Sequence, residues 1–320
     1  MLKVAIIGTG AIAEKMAQTI REMEGVCVYA VASRSKEKAR KFATEYSARQ
    51  IFGSYKDMVK ESECDLVYIA TPHMLHYEHM KLCLDYGRSI LCEKPFTVHA
   101  EQAEEIFALA AEKGCFVTEA LWTRYMPFVN IIKENIDKEK IGRISSLTAN
   151  LGYSIQNVPR LREPGLAGGT LLDLGIYLLH FARIIFGKNI KQITSAAVLS
   201  EKGVDLSDSI TLEFEGGKMA VLHSSMCAAL DRRAVLYGDE GYMEVTNINN
   251  PEKIEWYNRK HICQERIYLP KQISGLEYEI ESCRQALEKG WSECPQLPHE
   301  ETAEVLRIMD KMRKEWGMKY

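Results

Sequence analysis

The first 120 residues alternate between short apolar runs rich in β-branched residues and segments in which apolar residues have helical spacing. The apolar runs carry almost no internal charge, which is typical of parallel strands buried on both faces of a sheet. This alternation predicts βαβ units and an α/β fold with a doubly wound parallel sheet. The predicted strands are 3–8, 26–33, 65–71, 89–92 and 115–121, and the predicted helices are 11–23, 35–46, 54–61, 74–86 and 99–113.

The first predicted strand runs into a G-x-G-x-x-A pattern at residues 8–13, and a helix follows. In a dinucleotide-binding turn, Gly8 would permit the tight turn and Gly10 would let the backbone approach a pyrophosphate. The start of the helix offers N–H groups and a positive dipole end to phosphates. This turn therefore predicts a dinucleotide cofactor bound by Gly8, Thr9, Gly10, Ala11 and Ile12.

The second predicted strand ends in Ser33-Arg34-Ser35, where a cofactor without a 2′-phosphate usually meets an acidic residue. Here the strand offers a hydroxyl and a guanidinium, and a forked guanidinium suits a phosphate dianion. A simpler interpretation of the basic run 36–41 is a helix face that is exposed to solvent. Because Arg34 lies at the strand tip, we predict NADP(H) over NAD(H), bound through Ser33, Arg34 and Lys38.

Two further strand ends carry polar side chains, at residues 70–73 and 93–95. Ligands of an open parallel sheet bind beyond the carboxyl ends of its strands, so both ends should lie at the cofactor, with Lys94 beside the nicotinamide. The alternative is an exposed lysine in a turn. A metal bound by the nearby histidines is not expected, because no Asp or Cys pair completes a ligand set. The predicted cofactor contacts here are Thr71, Pro72, His73, His76, Glu93 and Lys94.

The character of the sequence changes after residue 121. A helix is predicted over 122–137, and short strands separated by glycine turns then predict an α+β region with a mostly antiparallel sheet. We therefore predict a dinucleotide-binding Rossmann domain over 1–121 and a domain for substrate binding and oligomerisation over 122–320. The predicted strands of the second domain are 144–154, 191–199, 209–215, 218–226, 233–238 and 242–247, and its predicted closing helices are 276–289 and 299–315.

The run 168–180 of the second domain begins with two glycines and continues as an apolar helix that we expect to start near Thr170. Asp173, Tyr177 and His180 have the spacing i, i+4, i+7, so they should share one helix face. That face is either an ordinary core face or an acid–base set presented to a cleft between the domains.

Taken together, these motifs resemble the Gfo/Idh/MocA oxidoreductases over the whole chain. The resemblance is closest to the branch containing dimeric dihydrodiol dehydrogenase, glucose–fructose oxidoreductase and xylose dehydrogenases. The motifs that carry it are GTGAIA (8–13), ASRS (32–35), ATPHMLH (70–76), CEKPFT (92–97), EALWTRYMP (119–127), AGGTLLDLGIYLLH (167–180) and the ending at 276–302.

The resemblance implies a catalytic pair, Lys94 and Tyr177, with Asp173 in support; many relatives have histidine in place of the tyrosine. It also implies that Trp122 and Arg124 border the nicotinamide and substrate, and that the Lys94–Pro95 peptide is cis. A large open sheet in the second domain is expected to pair subunits into a homodimer or homotetramer.

The implied activity is hydride transfer between the nicotinamide and a carbinol or carbonyl carbon of a sugar, polyol or cyclic diol. Tyr177 is expected to act as the acid/base, assisted by Lys94. The alternative is a non-catalytic NADP-binding sensor on the same fold, because a fold by itself does not determine function.

Composition narrows the class of protein further. The net charge of −3 argues against broad nucleic-acid or anionic-membrane binding. No signal peptide is expected, and no run is expected to reach the roughly 18 apolar residues of a membrane span. Nine scattered cysteines indicate free thiols in a reducing cytoplasm.

The stretch 219–230 contains no fully charged residue, and both of its alternating residue sets are small or apolar. A strand with one face in water should alternate between polar and apolar residues. Either a loop of the same chain covers its second face, or that face packs on another subunit.

Overall fold

The computed structural model describes all 320 residues, and its internal contacts divide the chain into two compact units. The first unit comprises Met1–Tyr125 with Gln272–Arg307, and the second comprises Met126–Lys271 with Ile308–Tyr320. Most of the C-terminal segment therefore packs with the first unit, although it follows the second in sequence. As a statement about cofactor-binding and substrate-binding domains, the division into 1–121 and 122–320 stays a prediction.

The first unit contains a six-stranded parallel sheet in the order β3-β2-β1-β4-β5-β6, which confirms the doubly wound α/β fold. The short β3 was not predicted, because three half-exposed residues do not produce an apolar run. The strands are β1 (Leu2–Ile7), β2 (Val26–Ala32), β3 (Gln50–Phe52), β4 (Leu66–Ile69), β5 (Ile90–Glu93) and β6 (Val117–Ala120). The helices between them are α1 (Ala11–Glu22), α2 (Lys36–Tyr46), α3 (Tyr55–Glu61), α4 (His76–Asp85) and α5 (Ala100–Lys113).

The central strands of this sheet are buried on both faces. Every residue of β4, β5 and β6 is buried, as two layers of helices require of a parallel sheet. Because the strands are parallel, their carboxyl ends lie along one edge of the sheet. The polar residues that follow β1, β2, β4 and β5 are therefore brought to that edge.

The second unit is built on an eight-stranded sheet in the order β14-β13-β12-β11-β7-β10-β9-β8. Its pairs are antiparallel except for β7 with β10, so the sheet is mostly antiparallel as predicted. The strands are β7 (Ile144–Gly152), β8 (Ile190–Leu199), β9 (Asp205–Phe214), β10 (Lys218–Ser225), β11 (Arg233–Gly238), β12 (Gly241–Thr246), β13 (Lys253–Asn258) and β14 (Cys263–Tyr268). The helices are α6 (Phe128–Asp137) and α7 (Ile176–Phe186), and α8 (Glu277–Lys289) and α9 (His299–Glu315) follow the last strand.

Several elements of the second half differ from the sequence prediction. The helix expected over 122–137 is a 3-10 turn at Trp122–Arg124 followed by α6, because Pro127 disfavours a helical residue before it. The last two strands were missed because charges obscure their pattern. Glu255 of β13 is buried, and the flanking Lys253 and Arg266 pair with it.

The helix expected from Thr170 begins as a π turn at Leu171–Gly175 and continues as α7. The span Pro164–Phe186 is long and apolar enough to cross a membrane by length and composition, contrary to the sequence expectation. However, 89% of its most apolar window is buried inside the protein. It is therefore a core helix of the second unit.

One face of the eight-stranded sheet is exposed around β10. Met219 and Val221 are 44% and 40% exposed, whereas Ala220 and Leu222 on the other face are fully buried. Tyr237 of β11, which is separated from β10 by β7, is also exposed. The alternative in which a loop of this chain covers the second face of the strand is therefore wrong.

A carboxyl group lies buried beneath the π turn. Asp208 of β9 is 2% exposed, and its Oδ2 accepts a hydrogen bond of 2.6 Å from Ser224 Oγ, whereas its Oδ1 has no hydrogen-bond partner. Burial, aided by the nearby charge of Asp205, raises the pKa of Asp208 to about 8. The unfolded chain then loses this proton at lower pH than the folded chain, so stability falls as pH rises from about 4 to about 8.

We expect Asp208→Asn to remove this pH dependence, because the amide is nearly isosteric and does not ionise. The melting temperature of this variant minus that of the wild type should rise by about 2 °C or more between about pH 5 and pH 8. Differential scanning fluorimetry across that range measures the rise. Glu201→Gln, at an exposed acid of the same unit, is the control, and a difference between Asp208→Asn and wild type that stays constant with pH would contradict the assignment.

Candidate active site

The glycine turn after β1 has the geometry of a phosphate-binding turn. Gly8 has φ +106°, and a Cβ there would lie 2.6 Å from the carbonyl oxygen of Ala70, so only glycine fits between β1 and β4. Gly10 caps α1 from an extended conformation, and a Cβ on Gly10 would meet no atom within 4 Å. Backbone N–H groups at the start of α1 therefore face open space rather than packed side chains, with Ala11 and Ile12 as the first helical residues.

The end of β2 places hydroxyl and cationic groups beside this turn. The Thr9 hydroxyl donates to Ser33 Oγ at 3.4 Å, which joins the two predicted contacts. Arg34 is exposed, and the Ser35 hydroxyl caps α2 by accepting from the Lys38 backbone amide at 3.3 Å. A cavity of about 230 Å³ opens here and is lined by Thr9, Glu14, Lys38, Lys41, Phe42 and Glu45.

The loop after β4 is tied to the loop after β5 by a buried histidine. His76 Nε2 lies 2.8 Å from the carbonyl oxygen of Thr71, and Nδ1 lies 2.9 Å from that of Pro95. Both contacts need a donated proton, but burial lowers the pKa of His76 more than these carbonyls raise it. The ring therefore donates to one carbonyl at a time near neutral pH. His73, after Pro72, is also buried, and its ring lies edge-on to His76.

The turn that carries Lys94 is anchored by carboxylates on both sides. Tyr68 of β4 donates a hydrogen bond to Glu93, and the Phe96 amide donates to Glu119 Oε1 at 2.9 Å. The Lys94–Pro95 peptide is cis, which confirms the expectation from the resemblance. Lys94 itself is half-buried at the carboxyl edge of the sheet.

Glu119 is a functional candidate that the sequence analysis did not single out. It is 2% exposed on β6, and its other oxygen accepts from Thr302 Oγ1 at 3.0 Å. Burial raises the pKa of Glu119 to about 7, against the opposing effects of its hydrogen bonds and the Lys94 charge. An acidic residue inside the apolar run 115–121 was the signal that could have revealed it.

A second carboxyl group from the C-terminal segment lies close to the same strands. Glu279 of α8 is fully buried, and neither of its oxygens has a hydrogen-bond partner. Burial and the charge of Glu93 hold its pKa well above the usual range, partly offset by Lys15. Glu279 therefore keeps its proton to a higher pH than an exposed glutamate does.

The 3-10 turn after β6 presents an aromatic ring and a cation. The Lys15 ammonium of α1 lies 3.9 Å from the centre of the Trp122 ring. Arg124 pairs with Glu301 of the C-terminal segment at 3.3 Å, and both side chains are largely buried. These contacts hold both predicted residues within the first unit.

The second unit carries the remaining predicted residues on one helical segment. Asp173 lies in the π turn, Tyr177 lies in the first turn of α7, and both are more than nine-tenths buried. Arg160 Nη2 donates to Asp173 Oδ1 at 3.0 Å, a contact that the sequence does not indicate. His180 is 1% exposed on α7, as expected of a core face.

The structure thus brings the predicted residues together in two groups, one in each unit. The first group shares the carboxyl edge of the parallel sheet and the turns beside it. It comprises residues 8–12, 33–38, 71–76, 93–94 and 122–124. Asp173 and Tyr177 share one helical segment. No group of three or more His, Cys, Asp or Glu side chains has an arrangement that could hold a metal ion.

A parallel sheet with an open glycine turn and reactive side chains at its carboxyl edge defines a dinucleotide-binding Rossmann unit. The chain belongs to the GFO/IDH/MocA oxidoreductase family. Residues 2–121 match the family's NAD-binding Rossmann domain, and residues 129–244 match the GFO/IDH/MocA C-terminal domain. The resemblance drawn from the motifs is confirmed.

The curated relatives are dehydrogenases. The trans-1,2-dihydrobenzene-1,2-diol dehydrogenase of Xenopus tropicalis is 33% identical, over 92% of this chain and 91% of its own length. The scyllo-inositol 2-dehydrogenase (NADP(+)) IolU of Bacillus subtilis (strain 168) is 28% identical over 100% of this chain and 98% of its own. This protein is therefore an NAD(P)-binding oxidoreductase of the family that acts on hydroxyl groups.

Solved structures show the same fold. KijD10, a 3-ketoreductase from Actinomadura kijaniata in complex with NADP and TDP-benzene, has a TM-score of 0.89 at 24% identity, over 98% of this chain and 97% of its own. The aldose-aldose oxidoreductase of Caulobacter crescentus has a TM-score of 0.89 at 18% identity, over 99% and 97%.

Proposed function

We propose that this protein is an NADP(H)-dependent dehydrogenase that interconverts a carbinol and a carbonyl in a sugar, polyol or cyclic diol. The observation that carries the proposal is the Lys94 turn, which buried carboxylates anchor at the carboxyl edge of a dinucleotide-binding sheet. Two relatives support a sugar, polyol or cyclic diol as the substrate class, because their names give a cyclic trans-diol and an inositol as substrates.

The residues present fit a dinucleotide. A Cβ on Gly10 would meet no atom within 4 Å, so the space beside the glycine is open to a pyrophosphate, and the helix start supplies N–H donors there. We propose that Gly8, Thr9, Gly10, Ala11 and Ile12 hold the pyrophosphate, and that Thr71, His73 and Trp122 border the remaining groups. A bound nicotinamide supplies or accepts the hydride.

The chain's own residues manage the proton and the substrate oxygen. We propose that Tyr177 hydrogen-bonds the reacting oxygen and takes the hydroxyl proton during oxidation, returning it during reduction. An ammonium beside a phenol stabilises the phenolate, and this is the role proposed for Lys94. Lys94 also polarises the carbonyl during reduction, and Asp173 supports Tyr177 from the preceding turn.

We expect Lys94→Met and Tyr177→Phe each to lower kcat at least about 100-fold, because each removes a group that acts in proton transfer. The dissociation constant for NADPH should change by less than about threefold, since neither residue is proposed to hold the phosphates. Turnover is measured by nicotinamide absorbance with cyclic diols, inositols and aldoses. A Lys94→Met variant that kept most of its activity would rule out this mechanism, and tight NADPH binding without any turnover would favour a sensor.

The preference for NADP(H) is proposed from the end of β2. Arg34 is exposed and directly follows Ser33, whose hydroxyl accepts a hydrogen bond from Thr9, and Lys38 lines the cavity that Thr9 also lines. A 2′-phosphate placed there meets cations, although Glu14 and Glu45 line the same cavity. NADP in the name of the Bacillus relative supports the same choice.

We expect Arg34→Ala to weaken NADPH binding at least about tenfold, because the charge-assisted bonds to the phosphate are lost. NADH binding should change by less than about twofold. Fluorescence titration of both cofactors measures the two constants, and Arg40→Ala, on the solvated part of α2, is the matched control. Equal weakening of both cofactors would contradict the proposal.

We also propose that the exposed face of the eight-stranded sheet pairs subunits as a homodimer or homotetramer. A row of mixed apolar and hydroxyl side chains crosses this face through Thr211, Val221 and Thr148, which are register partners. We expect Val221→Glu to dissociate the assembly in sedimentation velocity, and a monomeric wild type would contradict the proposal.

The nine free thiols support a cytoplasmic location.

A further inference from the structure

The loop at residues 153–169 is bonded to the helical segment that carries Asp173 and Tyr177. The bond is the 3.0 Å contact from Arg160 Nη2 to Asp173 Oδ1. The Asp173 side chain is only 7% exposed, whereas the Arg160 side chain is 42% exposed. A largely buried carboxylate thus has a counter-ion that reaches it from the solvent side.

The loop backbone is built to deliver Arg160 to this place. Leu161 is buried with Val204 and Met226, so an apolar anchor follows the arginine directly. The Gly169 amide donates to the carbonyl oxygen of Leu161 at 3.0 Å. A Cβ on Gly168 would lie 2.5 Å from that oxygen and 2.9 Å from the carbonyl oxygen of Arg160. The glycine pair therefore lets the loop fold back against the start of the π turn.

The far side of the π turn is fixed as well. Asp205 of β9 accepts a hydrogen bond from the Leu171 amide, and the Thr170 hydroxyl donates to the carbonyl oxygen of Leu206 at 2.9 Å. The backbone at Asp173 is thus held from the sheet side, and its carboxylate is held from the loop side by Arg160. One oxygen engaged by a guanidinium sets the rotation of the carboxylate and hence the direction of the other oxygen.

We propose that Arg160 is a positioning residue that orients the Asp173 carboxylate as the acceptor for the second hydroxyl of a vicinal diol. This inference rests on the proposed function, in which Tyr177 binds the reacting hydroxyl. Residues four apart on a helix are neighbours, so one small substrate can contact both Asp173 and Tyr177. A site built to accept a hydroxyl hydrogen bond discriminates against the analogue that lacks the hydroxyl. Arg160 thereby makes the enzyme selective for vicinal diols over simple alcohols.

The test compares trans-cyclohexane-1,2-diol with cyclohexanol as substrates of the full chain with NADP⁺. We expect Arg160→Gln to lower kcat/KM for the diol at least about tenfold, and that for cyclohexanol less than about threefold. Arg160→Lys should recover much of the diol activity, because it keeps a cationic donor. Arg162→Gln, which removes an exposed arginine from the same loop, should leave both substrates unchanged.

Equal losses on the two substrates would assign Arg160 to general folding of the loop and overturn the inference. No loss on either, or the same loss in Arg162→Gln, would also overturn it. Turnover that depends on Lys94 and Tyr177 but shows no Arg160-dependent discrimination would leave the proposed function standing and the inference refuted.

A second measurement separates the inference from the proposed reaction. Isothermal titration calorimetry of the NADPH-loaded protein with the same two compounds requires no turnover. Suppose that neither compound is oxidised, so that the proposed reaction fails. The inference is still supported if Arg160→Gln weakens diol binding at least about tenfold and leaves cyclohexanol binding unchanged. If the wild type neither oxidises nor binds the diol, the inference is overturned as well.

Discussion

The hydrogen bond from the Phe96 amide to the buried Glu119 carboxylate holds the turn that carries Lys94, and the proposed chemistry depends on that turn. Glu119 can accept this bond because β6 places its side chain beside the end of β5, its parallel neighbour. The second oxygen is satisfied by Thr302 of the C-terminal segment. An interaction among three segments that are distant in sequence thus fixes the position of one lysine.

Buried carboxyl groups recur at the places where the chain leaves its core. Glu93 and Glu119 border the Lys94 turn, and Asp173 and Asp205 border the π turn. Burying a carboxylate costs free energy unless hydrogen bonds or a counter-ion compensate. Each of these groups has such a partner, so the irregular backbone at these turns is held by directed polar contacts as well as by packing. Burial of carboxyl groups also makes the stability of the protein sensitive to pH, because it raises the pKa of Glu119 to about 7 and that of Asp208 to about 8.

The parallel sheet was predictable because its pattern is local. Strands buried on both faces need uninterrupted apolar runs, and the glycine turn after β1 needs glycine for its φ and its close approach to Ala70. The predictions failed where the pattern is not local. The strand β13 hides a buried glutamate whose compensating cations lie on its own strand and on β14. The π turn at Leu171–Gly175 cannot be read from spacing, because the same apolar spacing suits an α-helix.

The sequence by itself determined the fold of the first unit, the residues at its carboxyl edge and the family to which the chain belongs. The fold and the edge residues follow from periodicity and from glycines whose conformational role is intrinsic to the residue, and the family follows from the resemblance of the motifs. Only the tertiary structure decided which polar groups are partners, namely Glu119 with Phe96 and Arg160 with Asp173. It also buried Glu279 without a hydrogen-bond partner for either oxygen. The reason is physical. A hydrogen bond depends on distance and direction between atoms that folding brings together, and a one-dimensional pattern carries neither.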